Sequence, residues 1–229
     1  MLLRFLLAQY FLGCSGSRIY KGFAGNTKLH CCKSEKSIDS ASILLAALKK
    51  IMSDKKYFAE YAYVFEDDGI FPNSPLPVLL YKSVLDLPSI FPGAYIEQLF
   101  SSNGWTKSWK AGIYTFPHYH SNTHEVLGVY KGESTLQLGG DKGSVIKLEK
   151  GDVLIIPAGV CLRNMGPEEA VSCVGAYPEG LQYNMNYGKP GERPVADETI
   201  RAVPAPERDP VLGLKGGTSR YWKRPQAGR

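Results

Sequence analysis

No apolar run in the chain reaches the roughly 20 residues that a membrane-crossing helix needs. Cysteine is also sparse: Cys14, Cys31, Cys32, Cys161 and Cys173 include no C-x-x-C pair, which leaves zinc-ribbon and thioredoxin-type readings without support. Acids are missing from the first 34 residues, which hold Arg4, Arg18, Lys21, Lys28 and Lys33. Without those five, 22 basic and 22 acidic residues remain, so the formal net charge of +5 belongs to one end of the chain. The remainder shows no basic stripe interleaved with aromatics and hence no electrostatic footprint for nucleic acid. A chain of 229 residues is long enough to bury a substantial core as one domain with appended segments.

Residues 1–36 form a basic segment of their own. Leu2–Leu12 is largely apolar with one basic residue, and small residues follow at Gly13–Ser17, as in a short secretory signal. The spaced Arg and Lys without acids suit a mitochondrial transit peptide, and a plain disordered tail fits as well. The protein would be mitochondrial or secreted if the segment is a targeting signal, and cytoplasmic if it is a tail. Residues 37–60 carry apolar positions at helical spacing, with Ser37 or Asp39 as cap, and predict an amphipathic helix. Residues 61–223 are the expected globular domain, and 224–229 a frayed end.

Within that domain, Tyr61–Phe65 and Val78–Tyr81 read as strands, and Gly93–Ser102 as a short helix whose core face holds Ala94, Leu99 and Phe100 or their neighbours. The Glu66–Gly69 cluster lacks the remaining ligands of a calcium loop and reads as a solvated turn. Further strands are expected at Trp105–Phe116, Glu125–Tyr130, Ser134–Leu138, Val145–Leu148, Asp152–Ile156 and Ala170–Tyr177, with glycines between them. No ten-residue helical pattern intervenes, so parallel crossovers are excluded and the class is an all-β barrel. From Glu179 onward the chain is rich in Gly, Pro and charge, yet retains Tyr, Met and Trp222, which predicts an irregular wrap around the barrel. Cys161 and Cys173 are expected as buried thiols, or as a disulfide across neighbouring strands in a secreted protein.

Three of the four histidines lie within seven residues, at His118, His120 and His124. His118 and His120 are two apart and project from one face of an extended segment. Glu125 follows close enough for a turn to return its carboxylate to them. Two neutral nitrogens and one anionic oxygen converging on a point suit a divalent transition metal. His124 and Cys161 face the other way by the same alternation, His124 toward a hydrogen bond outside the barrel or a subunit contact.

These residues also fall into a recognisable pattern. Gly112-x5-His118-x-His120-x4-Glu125-x6-Gly132 matches the first cupin motif, and Gly151-x5-Pro157-x-Gly159 matches the opening of the second. The chain resembles the cupins, the superfamily of RmlC-like jelly rolls. Within them it is most similar to a small bacterial and fungal group carrying the segments seen here at His120–Val129 and Gly175–Gly180. The likeness runs from about Tyr61 to about Trp222. It implies a jelly-roll barrel of about six to eight strands holding a metal on two His, one Glu and a further His from the second motif. Carried over, the first three positions are His118, His120 and Glu125, whereas the fourth falls on Leu162. Gly166 stands where the second motif has Asn, with Asn164 nearby.

Two functions follow. The first is a metal-dependent small-molecule enzyme of oxygenase or isomerase type, with iron, manganese or zinc on the retained trio and binding weakened by Leu162. Tyr114, Phe116, Leu127 and Leu162 would line its pocket. The second is a non-catalytic barrel that binds a small ligand or serves as a dimerising scaffold, its metal site vestigial. Neither calls for nucleic acid or a membrane span.

Overall fold

The computed structural model describes residues 58–222. The basic segment, most of the helix expected over 37–60 and the tail 224–229 lie outside them. The first strand, β1 (Ala59–Phe65), includes Ala59 and Glu60, two residues that the helical spacing had claimed. After it come β2 (Ser74–Lys82), α1 (Pro92–Ser102), β3 (Trp105–Ala111), β4 (Glu125–Leu138) and β5 (Ser144–Glu149). β6 (Val153–Ile156), β7 (Leu162–Asn164), β8 (Val171–Pro178), α2 (Val195–Ala202) and α3 (Gly217–Tyr221) complete the described chain.

Neighbouring strands are antiparallel throughout. The main layer runs β1-β2-β6-β4-β8-β3, and the second half of β4 pairs with β5 and β7. β4 is therefore common to both layers of an all-β jelly roll. The hydrogen-bonded path ends at β1 and β3, so the sheet is not closed, in contrast to the barrel expected from strand spacing. Among the described residues no helix is long and apolar enough to cross a membrane.

Alternation along the strands divides the apolar residues between two cores. Val78, Leu80, Leu127, Val129, Leu154, Ile156 and Cys173 point between the layers, where Leu136, Leu138 and Leu148 of the second layer meet them. Their neighbours Leu79, Tyr81, Val126, Val153, Ile155 and Val174 point to the opposite face. That face is covered by Ile96 and Phe100 of α1 and by Trp222. The central strands β2, β6 and β8 and the first half of β4 are thus buried on both sides, which is why they read as nearly continuous apolar runs. On α1 the inward residues are Gly93, Ile96 and Phe100. Ala94 is exposed, and its neighbour Gly93 takes the inward position.

Two bulges reset the alternation. In β3 the pairing with β8 shifts between Thr106 and Trp109, where Lys107 adopts φ 55°. Trp105 and Trp109, four apart, would share a face in a regular strand; here Trp105 packs outward and Trp109 inward. In β4 a shift between Val129 and Lys131 moves the inward set from odd to even positions. The two strands expected at Glu125–Tyr130 and Ser134–Leu138 are consequently one strand with a bend at Gly132. At Gly132, φ is 73° and a Cβ would stand 2.0 Å from the Ala170 carbonyl oxygen, so only glycine fits.

The C-terminal wrap is pinned by one carboxylate. Asp209 is fully buried and accepts hydrogen bonds from the Tyr81 hydroxyl at 2.5 Å and from the backbone N–H groups of Val211 and Leu212, each at 3.0 Å. The Tyr81 oxygen in turn accepts from the Gly217 N–H at 2.7 Å. Trp222 closes the wrap, donating its indole N–H to the Pro77 carbonyl at 2.8 Å. Cys161 and Cys173 are free and buried, in separate clusters, so the cross-strand disulfide does not form. Replacing Tyr81 by Phe should destabilise the fold by about 2 kcal/mol, because a buried carboxylate loses a charge-assisted bond. Urea unfolding of the variant checks this; unchanged stability would show that Asp209 does not depend on the phenol.

Candidate functional site

The segment between β3 and β4 is extended and held by two pairs of backbone hydrogen bonds. His118 bridges Leu162, with N–H to carbonyl distances of 3.1 and 2.9 Å, and Tyr119 bridges Asn186 at 3.0 Å both ways. These anchors fix the alternation. Tyr119 turns away from the inner core into a cluster with Phe71, Cys161 and Ala196. His118 and His120 turn the other way and, with Glu125 at the start of β4, line one cavity.

Each histidine uses Nδ1 on a backbone carbonyl. The His118 Nδ1–H donates to the Phe116 oxygen at 3.1 Å, and the His120 Nδ1–H to the Asn184 oxygen at 2.6 Å. A carbonyl only accepts, so both rings carry the proton on Nδ1 in their neutral form and keep the lone pair on Nε2. The His120 Nε2 lies 3.6 Å from Glu125 Oε1, and the two imidazole rings are 5.9 Å apart.

Glu125 is buried deeply, and neighbours compensate its charge. Burial pushes its pKa up, but the positive charge of a protonated His120, helped by His118 and the Tyr177 hydroxyl, outweighs this and holds it below the ordinary carboxylate value. His120 is pulled down by burial and raised more strongly by Glu125, ending above the ordinary imidazole value. Burial dominates at His118, which ends below it.

Behind Glu125 stands a chain of donors. The Trp109 Nε1–H donates to the Tyr177 oxygen at 2.7 Å, and the Tyr177 hydroxyl donates to Glu125 Oε1 at 3.1 Å. Trp109 reaches this position because Gly175, its partner on β8, has no side chain: a Cβ there would stand 2.1 Å from the indole ring. Tyr183, from the wrap, stacks on Tyr177 with ring centres 5.0 Å apart and lies 4.7 Å from His120.

The cavity measures about 170 Å³. Tyr114, Leu127 and Leu162 line it, as do Trp109, Ile113, Tyr177, Tyr183 and Met185. Phe116 does not. β3 stops at Ala111, five residues before the expected end, so Tyr114 and Phe116 lie on a loop and do not share a strand face. There Phe116 stacks on Tyr114 at 4.9 Å with 41% of its surface exposed. Leu162 sits directly across from His118, beside the two imidazoles, and brings no donor atom. Cys161 points away, and burial pushes its thiol up to about 12. His124 is buried beneath the wrap, where its Nδ1 accepts from the Ala158 N–H at 3.0 Å and its Nε2–H donates to the Pro204 oxygen at 3.1 Å.

Of the residues that sequence reasoning missed, Tyr177 carried a signal, lying within the Gly175–Gly180 segment shared with the resembling group. Trp109 and Tyr183 carried none, since one depends on a bulge and the other on the path of an irregular loop.

As a donor set, two Nε2 lone pairs and a carboxylate fit the chemistry of a divalent transition metal. Among the described residues, however, no group of three or more His, Cys, Asp or Glu is drawn close enough to form a ready-made metal centre. The Glu125 oxygen is engaged with Tyr177 and faces His120.

A jelly roll with these side chains on its inner face defines a class, and the chain belongs to the cupin family. Residues 110–180 match the family described as Cupin. The relative that establishes membership is the uncharacterized protein YjlB of Bacillus subtilis (strain 168), 37% identical over 161 residues, covering 70% of this chain and 94% of that protein. Among solved structures, acireductone dioxygenase from Bacillus anthracis with cadmium in its active centre matches at 11% identity and a TM-score of 0.33, over 62% of this chain and 90% of that one. RmlC epimerase from Legionella pneumophila matches at 10% identity and a TM-score of 0.31, over 54% and 74% of the two chains. Procruciferin from Brassica napus matches at 16% identity and 0.28, over 57% of this chain; only 27% of the globulin's length is spanned. These structural likenesses are too distant to bear on function.

Tyr177→Phe should cost about 1–3 kcal/mol, since the buried Glu125 carboxylate loses its hydroxyl donor and the Trp109 N–H its acceptor. Denaturant unfolding measures it. A variant as stable as the parent would show that the donor chain does not hold the carboxylate.

Proposed function

We propose that this cupin binds a small molecule in the cavity above Glu125, with a divalent metal (iron, manganese or zinc) held by His118, His120 and Glu125. The observation that carries the reading is the anchoring of both imidazoles through Nδ1. Metal-binding histidines characteristically donate their other ring N–H to a carbonyl or carboxylate, which fixes the tautomer and aims the lone pair. Asn184 and Phe116 supply those carbonyls here, from two different loops. Bound there, the metal would supply a Lewis-acidic centre with coordination positions open to a ligand's oxygen atoms, as suits oxygenase- or isomerase-type chemistry.

The chain's own residues have separable parts in this reading. Tyr177 and Trp109 hold the Glu125 carboxylate in place from behind, Tyr183 and Tyr114 wall the ligand space, and Leu162 keeps the fourth side apolar and weakens the hold on metal. A second reading, a non-catalytic barrel that binds a small ligand or pairs with another copy as a scaffold, is favoured by Leu162 and by the contact of Glu125 with His120.

Elemental analysis of purified protein after reconstitution at neutral pH should find close to one equivalent of metal, lost in a His118→Ala/His120→Ala variant. Leu162→His should tighten binding by about tenfold or more, since even supporting groups change metal affinity on that scale. A parent protein that takes up no metal would leave the second reading standing.

A further inference from the structure

The size and chemical asymmetry of the cavity narrow its ligand. Resting on the reading of the barrel as a small-molecule site, we propose that it accepts a single six-membered aromatic ring bearing hydroxyl groups along one edge, a ligand of the phenol or catechol class.

The volume sets the first limit. About 170 Å³ is close to the ~150 Å³ apolar cavity that binds benzene, and well below the pockets of roughly 300–1,000 Å³ that take drug-sized ligands. One ring with small substituents fills it; a fused bicycle, a nucleoside or a disaccharide would project beyond it.

The lining sets the second. Trp109, Tyr114, Tyr177 and Tyr183 contribute aromatic rings to the space, and such surfaces favour a planar π-system over a puckered aliphatic ring of equal size. Tyr183 is the most telling, since it stacks on Tyr177 at 28° between planes and so prolongs an aromatic wall that ends on the His120 ring.

Polarity sets the third. The imidazoles and the carboxylate gather at the His118, His120 and Glu125 cluster, with the phenols of Tyr114 and Tyr183 in the wall, while Ile113, Leu127 and Leu162 offer no donor or acceptor from their side chains. A ligand with hydroxyls all round its ring, such as a monosaccharide, would bury several against apolar carbon without partners, at a cost for each. A ring with one polar edge loses nothing. No described residue lining the cavity carries the side chain of a Lys or Arg.

The test is isothermal titration of the full chain, stripped of metal with a chelator and dialysed, and in parallel after reloading. The probes are catechol, cis-cyclohexane-1,2-diol and 2,3-dihydroxynaphthalene. In the stripped protein catechol should bind at least about tenfold tighter than either of the others, and Tyr183→Ala should weaken it about tenfold with circular dichroism unchanged. Equal binding of the cyclohexanediol would remove the aromatic preference, and equal binding of the naphthalene the size limit. Indifference to Tyr183→Ala, or no catechol binding at all, would also overturn the proposal. Metal uptake is read separately: selective catechol binding by a protein that never takes up metal would support the ligand class and defeat the metal reading alone.

Discussion

A carboxylate buried at the end of an apolar core is the constraint on which the rest of this structure depends. Burying the Glu125 charge without partners would cost several kcal/mol, and it is tolerated only because donors converge on it. His120 faces it at 3.6 Å, Tyr177 donates to it, and Trp109 donates to Tyr177. Each partner has its own structural requirement. Trp109 needs the bulge at Lys107 and the bare backbone of Gly175; His120 needs the Asn184 carbonyl of the C-terminal wrap.

That chain of dependence joins parts far apart in sequence. The wrap does more than cover the outer face of the main layer. It is pinned by Asp209 at one end, and where it crosses the cavity it delivers Tyr183 and Met185 to the lining and a carbonyl to His120. Site and scaffold are built by the same residues.

Legibility in the sequence followed the range of the interactions. Alternation put His118 and His120 on one side and Cys161 on the other, because side-chain direction in extended chain is a local property. Most strand positions were legible for the same reason, though β7, three residues long, was too short to register. Bulges were not legible. They merged two expected strands into β4 and brought Trp109 inward, and each is decided by pairing with β8 rather than by local preference. Phe116 was misplaced because alternation was extended past the end of β3 into a loop. Tyr183 and Asn184 act through a long irregular segment whose path no periodicity encodes. The family likeness added what spacing alone did not: that Leu162 stands where a fourth ligand would be.

The central claim is that the cavity is a metal site built from nitrogen and oxygen alone, lacking one ligand on the side of Leu162. X-ray absorption at the metal edge of the reconstituted protein tests it most directly. The account predicts a first coordination shell of two imidazole nitrogens and carboxylate or water oxygens, with no sulfur. A shell containing sulfur would mean that Cys161 or Cys173 has been drawn in against the register described, and a shell without imidazole would place any metal elsewhere; either result would contradict the account.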